Sequence, residues 1–171
     1  AVILTVDHAN PNGDPLNGNR PRTDYDGYGE ITDVCIKRKL RDRLLESDYP
    51  IFVQSDEKKR DEMTSLKNRA ESDRYGLGKA AFDEKITAKE KTAEEACKKW
   101  FDVRAFGQLF AFKKSTKKKK TEDDEDSSNA SGVSIPIRGP VTIQSAFSVE
   151  PITITGTQIT KSVNGEDNAG K

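Results

Sequence analysis

A long loop that runs directly into a cationic helix is the feature that most constrains this chain. Residues 7–31 hold four glycines and three prolines, so this stretch can neither continue a helix nor form a central strand. Thr32 is a favourable N-cap and Asp33 suits a first helical turn, which predicts a helix from there to about Ser47. Any fold of this chain must therefore carry an irregular loop ahead of its first helix.

Loop and helix are both rich in side chains that hold anions. Their asparagines and cations are Asn10, Asn12, Asn17, Asn19, Arg20, Arg22, Lys37, Arg38, Lys39, Arg41 and Arg43. At about 100° per residue, Lys37, Arg38 and Arg41 fall on one shoulder of the helix. The helix is expected to bury the neighbouring stripe of Ile36, Leu40 and Leu44. These side chains supply hydrogen-bond donors and positive charge, but almost no nucleophiles or bases. Such a set favours binding a polyanion over catalysing a reaction on it.

The composition limits the class of protein. Hydrophobic residues make up 33% of the 171 residues and charged residues 34%, which is poor for a compact enzyme of this length. Lys+Arg and Asp+Glu both total 29, so a basic surface can only be local. Cys35 and Cys97 lie far apart, which favours reduced thiols in a cytoplasmic protein over a disulfide. No run approaches about 18 apolar residues and no signal peptide is visible, so we expect no membrane contact.

Apolar and β-branched runs predict four strand regions. Residues 1–6, 51–54 and 109–112 are short runs of this kind, and the first suggests that the natural chain starts further upstream. Residues 133–154 alternate most clearly between apolar and polar positions. The alternation is expected to place these side chains on one face: Val141, Ile143, Ser145, Phe147 and Val149.

The segments between these runs are charged and more weakly patterned. Helices are expected around 58–72 and 78–84. Thr92 and Glu95 match a capping box. The helix that they open is expected to place these residues on one face: Ala93, Ala96, Cys97, Trp100 and Phe101. A lysine-rich block followed by an acidic block makes residues 113–132 typical of a disordered charged loop.

This order of strands and helices predicts a single α+β domain over residues 1–171. It is expected to be of the ferredoxin-like or RRM-like kind, with a sheet that is incomplete in this chain. No RNP-type aromatic pair is visible, so the ordinary stacking of bases on an RRM sheet is not expected.

Candidate metal and catalytic residues are few. His8 is the single histidine and has no cysteine at ligand spacing, which disfavours zinc and a catalytic triad. A calcium loop counted from His8 would need Asp in place of that histidine and Glu in place of Asn19. Four acids could gather around magnesium for a nuclease, although aspartates more often stabilise turns: Asp7, Asp14, Asp24 and Asp26. We therefore expect no metal and no cofactor.

Two further arginines stand where side chains often face ligands. Arg104 and Arg138 each lie at the end of an expected element, close to Gly107 and Gly139. The alternative for all of these cations is a solvated protein surface without a ligand.

Four segments, in this order, resemble the backbone subunit of type I CRISPR Cascade, in the type I-C (Csd) branch of the Cas-seven group within the RAMP superfamily. They are NPNGDP with DVCIKRKLR, WFDVRAFGQLFAF, IRGPVTIQSAFSVEPI and TQITKSVN. The resemblance covers nearly the whole chain except 113–132. Family members continue past Lys171, so the chain resembles a truncated member.

The resemblance implies a modified RRM-like palm with an inserted helical lobe, here 55–90, and a thumb-like hairpin, partly present at 152–171. It implies that copies assemble head to tail along CRISPR RNA, with other Cascade subunits and target DNA as partners, and that the subunit is not an enzyme. The RNA-binding residues would be Lys37, Arg38, Arg41, Arg20, Arg22, Arg104, Gln144, Ser145 and Arg138, with Thr157, Gln158 and Ile159 on the thumb.

Two other functions remain open from the sequence. The first is a metal-dependent ribonuclease of the RAMP superfamily, which would use an aspartate of the loop such as Asp24. The second is an RNA chaperone unrelated to CRISPR.

Overall fold

The computed structural model describes residues 1–112 and 133–160. In chain order its elements are β1 (Gly13–Asp14), β2 (Arg20–Pro21), β3 (Tyr28–Ile31), α1 (Asp33–Glu46), α2 (Leu66–Glu71), α3 (Lys89–Lys99), α4 (Phe101–Phe106), β4 (Gln108–Phe112), β5 (Val133–Ile137) and β6 (Ala146–Pro151). Short 3-10 helices cover Pro15–Asn17 and Lys79–Phe82. The prediction of a mixed α and β chain is confirmed, whereas the charged loop 113–132 and the outer part of the thumb lie outside the described residues.

The described strands pair two by two, and every pair is antiparallel. The pairs are β1 with β2, β3 with β6, and β4 with β5. A single ferredoxin-like or RRM-like sheet therefore stays a prediction.

The chain divides into two compact units. The β unit comprises Ala1–Thr32 and Ser145–Lys171, and the core unit comprises Asp33–Gln144. All hydrophobic side chains that the structure describes as buried belong to the core unit: Leu45, Ile51, Phe52, Ala70, Phe82, Ala96, Trp100, Val103, Phe110, Val133 and Ile135. The hydrophobic effect thus stabilises chiefly the core unit.

Aromatic rings form the centre of the core unit. The ring of Phe52 lies 4.7 Å from that of Trp100 and 5.1 Å from that of Phe110, measured between centroids. Phe82 adds a further contact to Phe110 at 5.4 Å. Such tilted packing is favourable for aromatic pairs beyond the area that they bury. Strand β4 reaches this centre because Phe110 is its fully buried residue and pairs with Ile135 of β5.

Two expected strands are wrong. Residues 1–6 have no regular structure and are exposed, because no described strand pairs with them and an isolated strand is unstable in water. Residues 51–54 carry the buried Ile51 and Phe52, but they form no strand. The backbone amides of Phe52 and Val53 donate instead to the carboxylate of Asp102.

Helix ends and faces also differ from expectation. Helix α3 begins at Lys89, so Thr92 lies in its first turn and donates its hydroxyl to the carbonyl of Ala81 rather than capping. Helix α1 matches its expected bounds, but its one buried residue is Leu45, and Leu40 is 40% exposed.

The alternating region is two strands and not one. Strands β5 and β6 are separated by residues 138–145, which have no regular structure. In β6 the expected apolar face is the exposed one, since Phe147 is 58% and Val149 is 95% exposed. Period-two alternation identifies two faces, but only a neighbouring element decides which of them is covered.

Candidate nucleic-acid interface

The polar loop of the β unit uses many of its side chains to hold its own shape. The Asn12 side-chain oxygen accepts from the backbone amide and the hydroxyl of Thr32, both at 2.9 Å. The Asn10 side chain donates to the Asn19 carbonyl at 2.7 Å. These asparagines therefore shape the loop around the strand pair β1–β2 and hold Thr32 within the β unit.

The two loop arginines, Arg20 and Arg22, differ in how readily they can bind an anion. Arg22 is half-buried and lies 3.4 Å from the Asp14 carboxylate. Arg20 is exposed, and no ion-pair partner is recorded for it among the described residues. Arg20 is therefore the freer of the two for an anion.

The cations on the expected shoulder of α1 have carboxylate partners. Lys37 lies 3.1 Å from Asp33, and Arg38 lies 3.1 Å from Asp42. Both pairs join residues one helical turn apart. Such pairs near solvent contribute at most about 1 kcal/mol, so a phosphate can compete for these cations.

Arg41 has a different environment from the other α1 cations. Its Nε donates to Asp102 Oδ2 at 3.0 Å, and the side chains are only 13% and 1% exposed. Its guanidinium also lies 5.1 Å from the centroid of the Phe106 ring. Arg41 thus joins α1 to α4 inside the core unit, and its contact with RNA stays a prediction.

Asp102 is the partner of the candidate residue Arg41, and the sequence does not predict it. Its carboxylate accepts from the backbone amides of Phe52 at 2.7 Å and Val53 at 3.0 Å, in addition to Arg41. The available signal was an acid between aromatic and aliphatic residues in WFDVRAF. A buried acid needs partners of this kind, because an unpaired charge is costly away from water.

Arg104 and Arg138 do lie at element ends, as expected. Arg104 is exposed in the last turn of α4, with its guanidinium 5.3 Å from the Phe101 ring centroid. Arg138 is exposed directly after β5. The two elements approach closely at Gly107 and Gly139, since a Cβ on Gly139 would stand 2.1 Å from the carbonyl oxygen of Ala105. The glycines thereby bring the backbones that carry both arginines together within the core unit.

The remaining candidates lie in segments without regular structure. Gln144 is exposed and ends the core unit, whereas Ser145 is half-buried and belongs to the β unit. The thumb candidates Thr157, Gln158 and Ile159 are all exposed. The structure therefore brings Arg41, Arg104 and Arg138 around α4, and it places Arg20, Arg22, Ser145 and the thumb candidates in the other unit.

The acidic residues and the two cysteines are the other potentially reactive groups in the described part of the chain. They contain no group of three or more His, Cys, Asp or Glu that could hold a metal ion. Both cysteines are half-buried thiols that form no disulfide, and burial raises the pKa of the Cys97 thiol, against the opposing charge of Arg104. Within the same residues, no helix is both long and apolar enough to cross a membrane.

The chain matches one protein family over its whole length and one known protein over part of it. Residues 1–171 match the family model described as CRISPR-associated protein Cas7. Over 116 residues the chain is 34% identical to the CRISPR-associated protein Cas7 of Haloferax volcanii. This alignment covers 67% of the chain and 32% of the relative, so the chain spans about a third of the length of the curated relative that it matches.

Proposed function

This chain belongs to the Cas7 family of CRISPR-associated proteins, and from that premise we propose that it holds a CRISPR guide RNA by its backbone. Copies of the chain bind head to tail along the guide and form the filament of a cytoplasmic type I-C Cascade complex. With the other Cascade subunits, this complex presents the guide for pairing with target DNA in antiviral defence. The chain needs no cofactor and does not cleave RNA.

The observation that carries this proposal is the family match over residues 1–171. The geometry supports it through exposed cations that have no recorded carboxylate partner in the described residues: Arg20, Arg104 and Arg138. Phosphate oxygens accept strong charge-assisted hydrogen bonds from guanidinium groups. Within the described residues, these arginines therefore lose no ion pair when they bind a phosphate.

The cations of α1 act in two ways under this proposal. Lys37 and Arg38 exchange their carboxylate partners for RNA phosphates when the guide binds. Arg41 holds α1 through Asp102, and any RNA contact that it makes uses the part of its guanidinium that Asp102 leaves unoccupied. Gln144, Ser145 and the exposed residues Thr157, Gln158 and Ile159 complete the RNA contacts through hydrogen bonds and shape.

Salt-dependent RNA binding tests the role of α1. The double variant Lys37→Ala with Arg38→Ala is expected to bind CRISPR RNA more weakly at low salt. Each lost phosphate contact should also reduce the slope of log affinity against log salt by about one. Fluorescence anisotropy over a salt series measures both quantities, and circular dichroism checks that the fold is intact.

A matched control comes from helix α3. Lys89 and Lys98 of α3 are exposed and have the carboxylate partners Glu84 and Glu94. They resemble Lys37 and Arg38 in being cations with a carboxylate partner, but they lie on another helix. Their double alanine variant should retain the wild-type affinity and slope. Unchanged binding in the Lys37 and Arg38 variant would remove α1 from the RNA interface.

Incubating the same RNA with the protein and magnesium, and then measuring whether the RNA is intact, distinguishes a binding subunit from a ribonuclease. We expect it to be uncut. Cleavage that disappears in Asp24→Ala would establish the nuclease instead, and binding without periodic protection along the RNA would favour an RNA chaperone.

A further inference from the structure

Tyr25 stands at the tip of a hairpin with its side chain entirely in solvent. Its relative exposure is 109%, the highest among the large hydrophobic side chains that the structure describes as exposed. A tyrosine ring has a large apolar face, which normally finds a partner. A single exposed apolar residue is common, so exposure alone does not define a site. The backbone that carries this ring supplies the further evidence.

The hairpin is tight and its turn is well defined. Its arms are joined by hydrogen bonds from the Glu30 amide to the Arg22 carbonyl at 2.9 Å and from the Asp24 amide to the Tyr28 carbonyl at 3.0 Å. The turn closes with the Gly27 amide donating to the Asp24 carbonyl at 3.3 Å, and Gly27 has φ of 86°. A short loop that ends in a left-handed glycine is a favoured hairpin connection. Tyr25 is the first residue of this loop.

Side chains and a neighbouring strand brace the same turn. The Asp24 carboxylate accepts from the backbone amides of Asp26 at 3.0 Å and Tyr28 at 2.9 Å. The Ile152 amide donates to the Gly27 carbonyl at 2.9 Å, directly after β6. An aromatic ring on a braced turn loses little conformational freedom on binding, and aromatic anchors favour binding for this reason.

The charges around the hairpin indicate which part of an RNA could contact the Tyr25 ring. They favour a base over a phosphate. Asp24 and Asp26 flank Tyr25 and repel phosphates from the tip. Arg20 lies in β2 on the same arm as Arg22, is exposed, and can hold a phosphate further along the strand. We propose that Tyr25 stacks on an unpaired base of single-stranded RNA while Arg20 holds the backbone. This inference rests on the proposed function and adds to it a contact with a base.

RNA-binding measurements with a set of Tyr25 variants test the inference. The probe is a single-stranded RNA of guide length that carries 2-aminopurine, whose fluorescence reports stacking. Tyr25→Ala and Tyr25→Leu should each weaken binding about tenfold and lose the fluorescence change, because neither side chain has an aromatic face. Tyr25→Phe should behave as wild type. The salt slope should stay unchanged in all three variants, because no cation is lost.

Leu16→Ala is the matched control. Leu16 is 94% exposed in the loop of the same unit, but it has no aromatic face, so its variant should bind as wild type does. Wild-type binding with a normal salt slope, together with unchanged affinity in Tyr25→Ala, would overturn the stacking and leave the proposed function standing. If Tyr25→Ala changes only the self-association of the protein, Tyr25 belongs to a protein contact, and this result would also overturn the stacking proposal. Failure of the wild type to bind RNA would overturn both proposals.

Discussion

At the scale of single residues, the carboxylate of Asp102 serves three donors from two other segments of the core unit. It receives the guanidinium of Arg41 from α1 and the backbone amides of Phe52 and Val53. Its side chain is 1% exposed, so none of these bonds can be replaced by water without opening the core. Asp102 therefore positions α1, and with it every cation that α1 presents.

We expect Asp102→Asn to lower the free energy of unfolding by about 3 kcal/mol. The change leaves the guanidinium of Arg41 without its anion in a nearly buried position, and removing one partner of a buried pair is costly. Urea unfolding measures the loss. The double variant with Arg41→Gln should be less destabilised than the sum of the single variants, because the two residues are coupled.

The Arg38–Asp42 pair provides the comparison for this experiment. Arg38 is 46% exposed, so Arg38→Gln should cost about 0.5 kcal/mol or less. Equal losses for Asp102→Asn and Arg38→Gln would show that the buried bonds of Asp102 do not support the fold.

At the scale of elements, the segment between residues 55 and 90 contains a buried ion pair in addition to its buried apolar residues Ala70 and Phe82. Arg69 of α2 donates to both oxygens of Asp61, at 2.6 and 2.8 Å, and also to the Phe52 carbonyl at 2.9 Å. Both charged side chains are at most 5% exposed. Ser65 caps α2 by accepting from the Asn68 amide. Helix α2 is thereby fixed to the start of the core unit.

The Asp61–Arg69 pair predicts how stability depends on acid. The hydrogen bonds from Arg69 lower the pKa of Asp61. Its contribution to stability is therefore complete above the ordinary aspartate pKa of about 3.9 and is lost as the pH falls from there through the lowered pKa. We expect urea midpoints of Asp61→Asn to fall less steeply than those of wild type below about pH 4.

Asp56 supplies the control for the acid titration. It lies in the same segment and pairs with Lys59, but it is 92% exposed. Asp56→Asn should keep the acid dependence of the wild type. If Asp61→Asn keeps it as well, Asp61 does not carry this part of the acid response.

The same elements explain what could be predicted from the sequence. The sequence predicts helix α1 and strand β4 from their own residues, through Asp33 in a first turn and the apolar run around Phe110. The helical segment 58–72 was too long because α2 depends on Asp61 and Arg69, which meet only in the folded chain. The apolar run at residues 51–54 predicts a buried strand, whereas the hydrogen bonds of Phe52 and Val53 to Asp102 cannot be read from the sequence.

The sequence predicts which cations belong to the candidate site, but not which of them form ion pairs. The sequence identified the cations and placed Arg104 and Arg138 at element ends, as the structure has them. It could not distinguish Arg41 from Lys37 and Arg38, since the partner of Arg41 lies 61 residues away. A charge becomes available to RNA only if no carboxylate holds it more tightly, and long-range packing decides this.

At the scale of the whole molecule, buried apolar area is distributed unequally between the two units. The core unit contains Phe52, Trp100 and Phe110, all at most 2% exposed. The described part of the β unit has no buried side chain, and its apolar residues include Val2, Ile3 and Val149 at 87% exposure or more. Backbone hydrogen bonds pair its strands, β1 with β2 and β3 with β6.

Hydrogen exchange should therefore separate the two units. Backbone amides of α3, α4 and β4 are expected to exchange slowly, because they open only when the aromatic centre of the core unit is lost. Amides of β3 and β6 should exchange faster, since local opening there exposes little apolar area. Mass spectrometry of exchanged peptides measures both. Bound CRISPR RNA should slow exchange around residues 20–31 if the loop and Tyr25 contact the guide. Equal protection of both units without RNA would contradict this division, because a unit with no buried side chain would then be as stable as one built on Phe52 and Phe110.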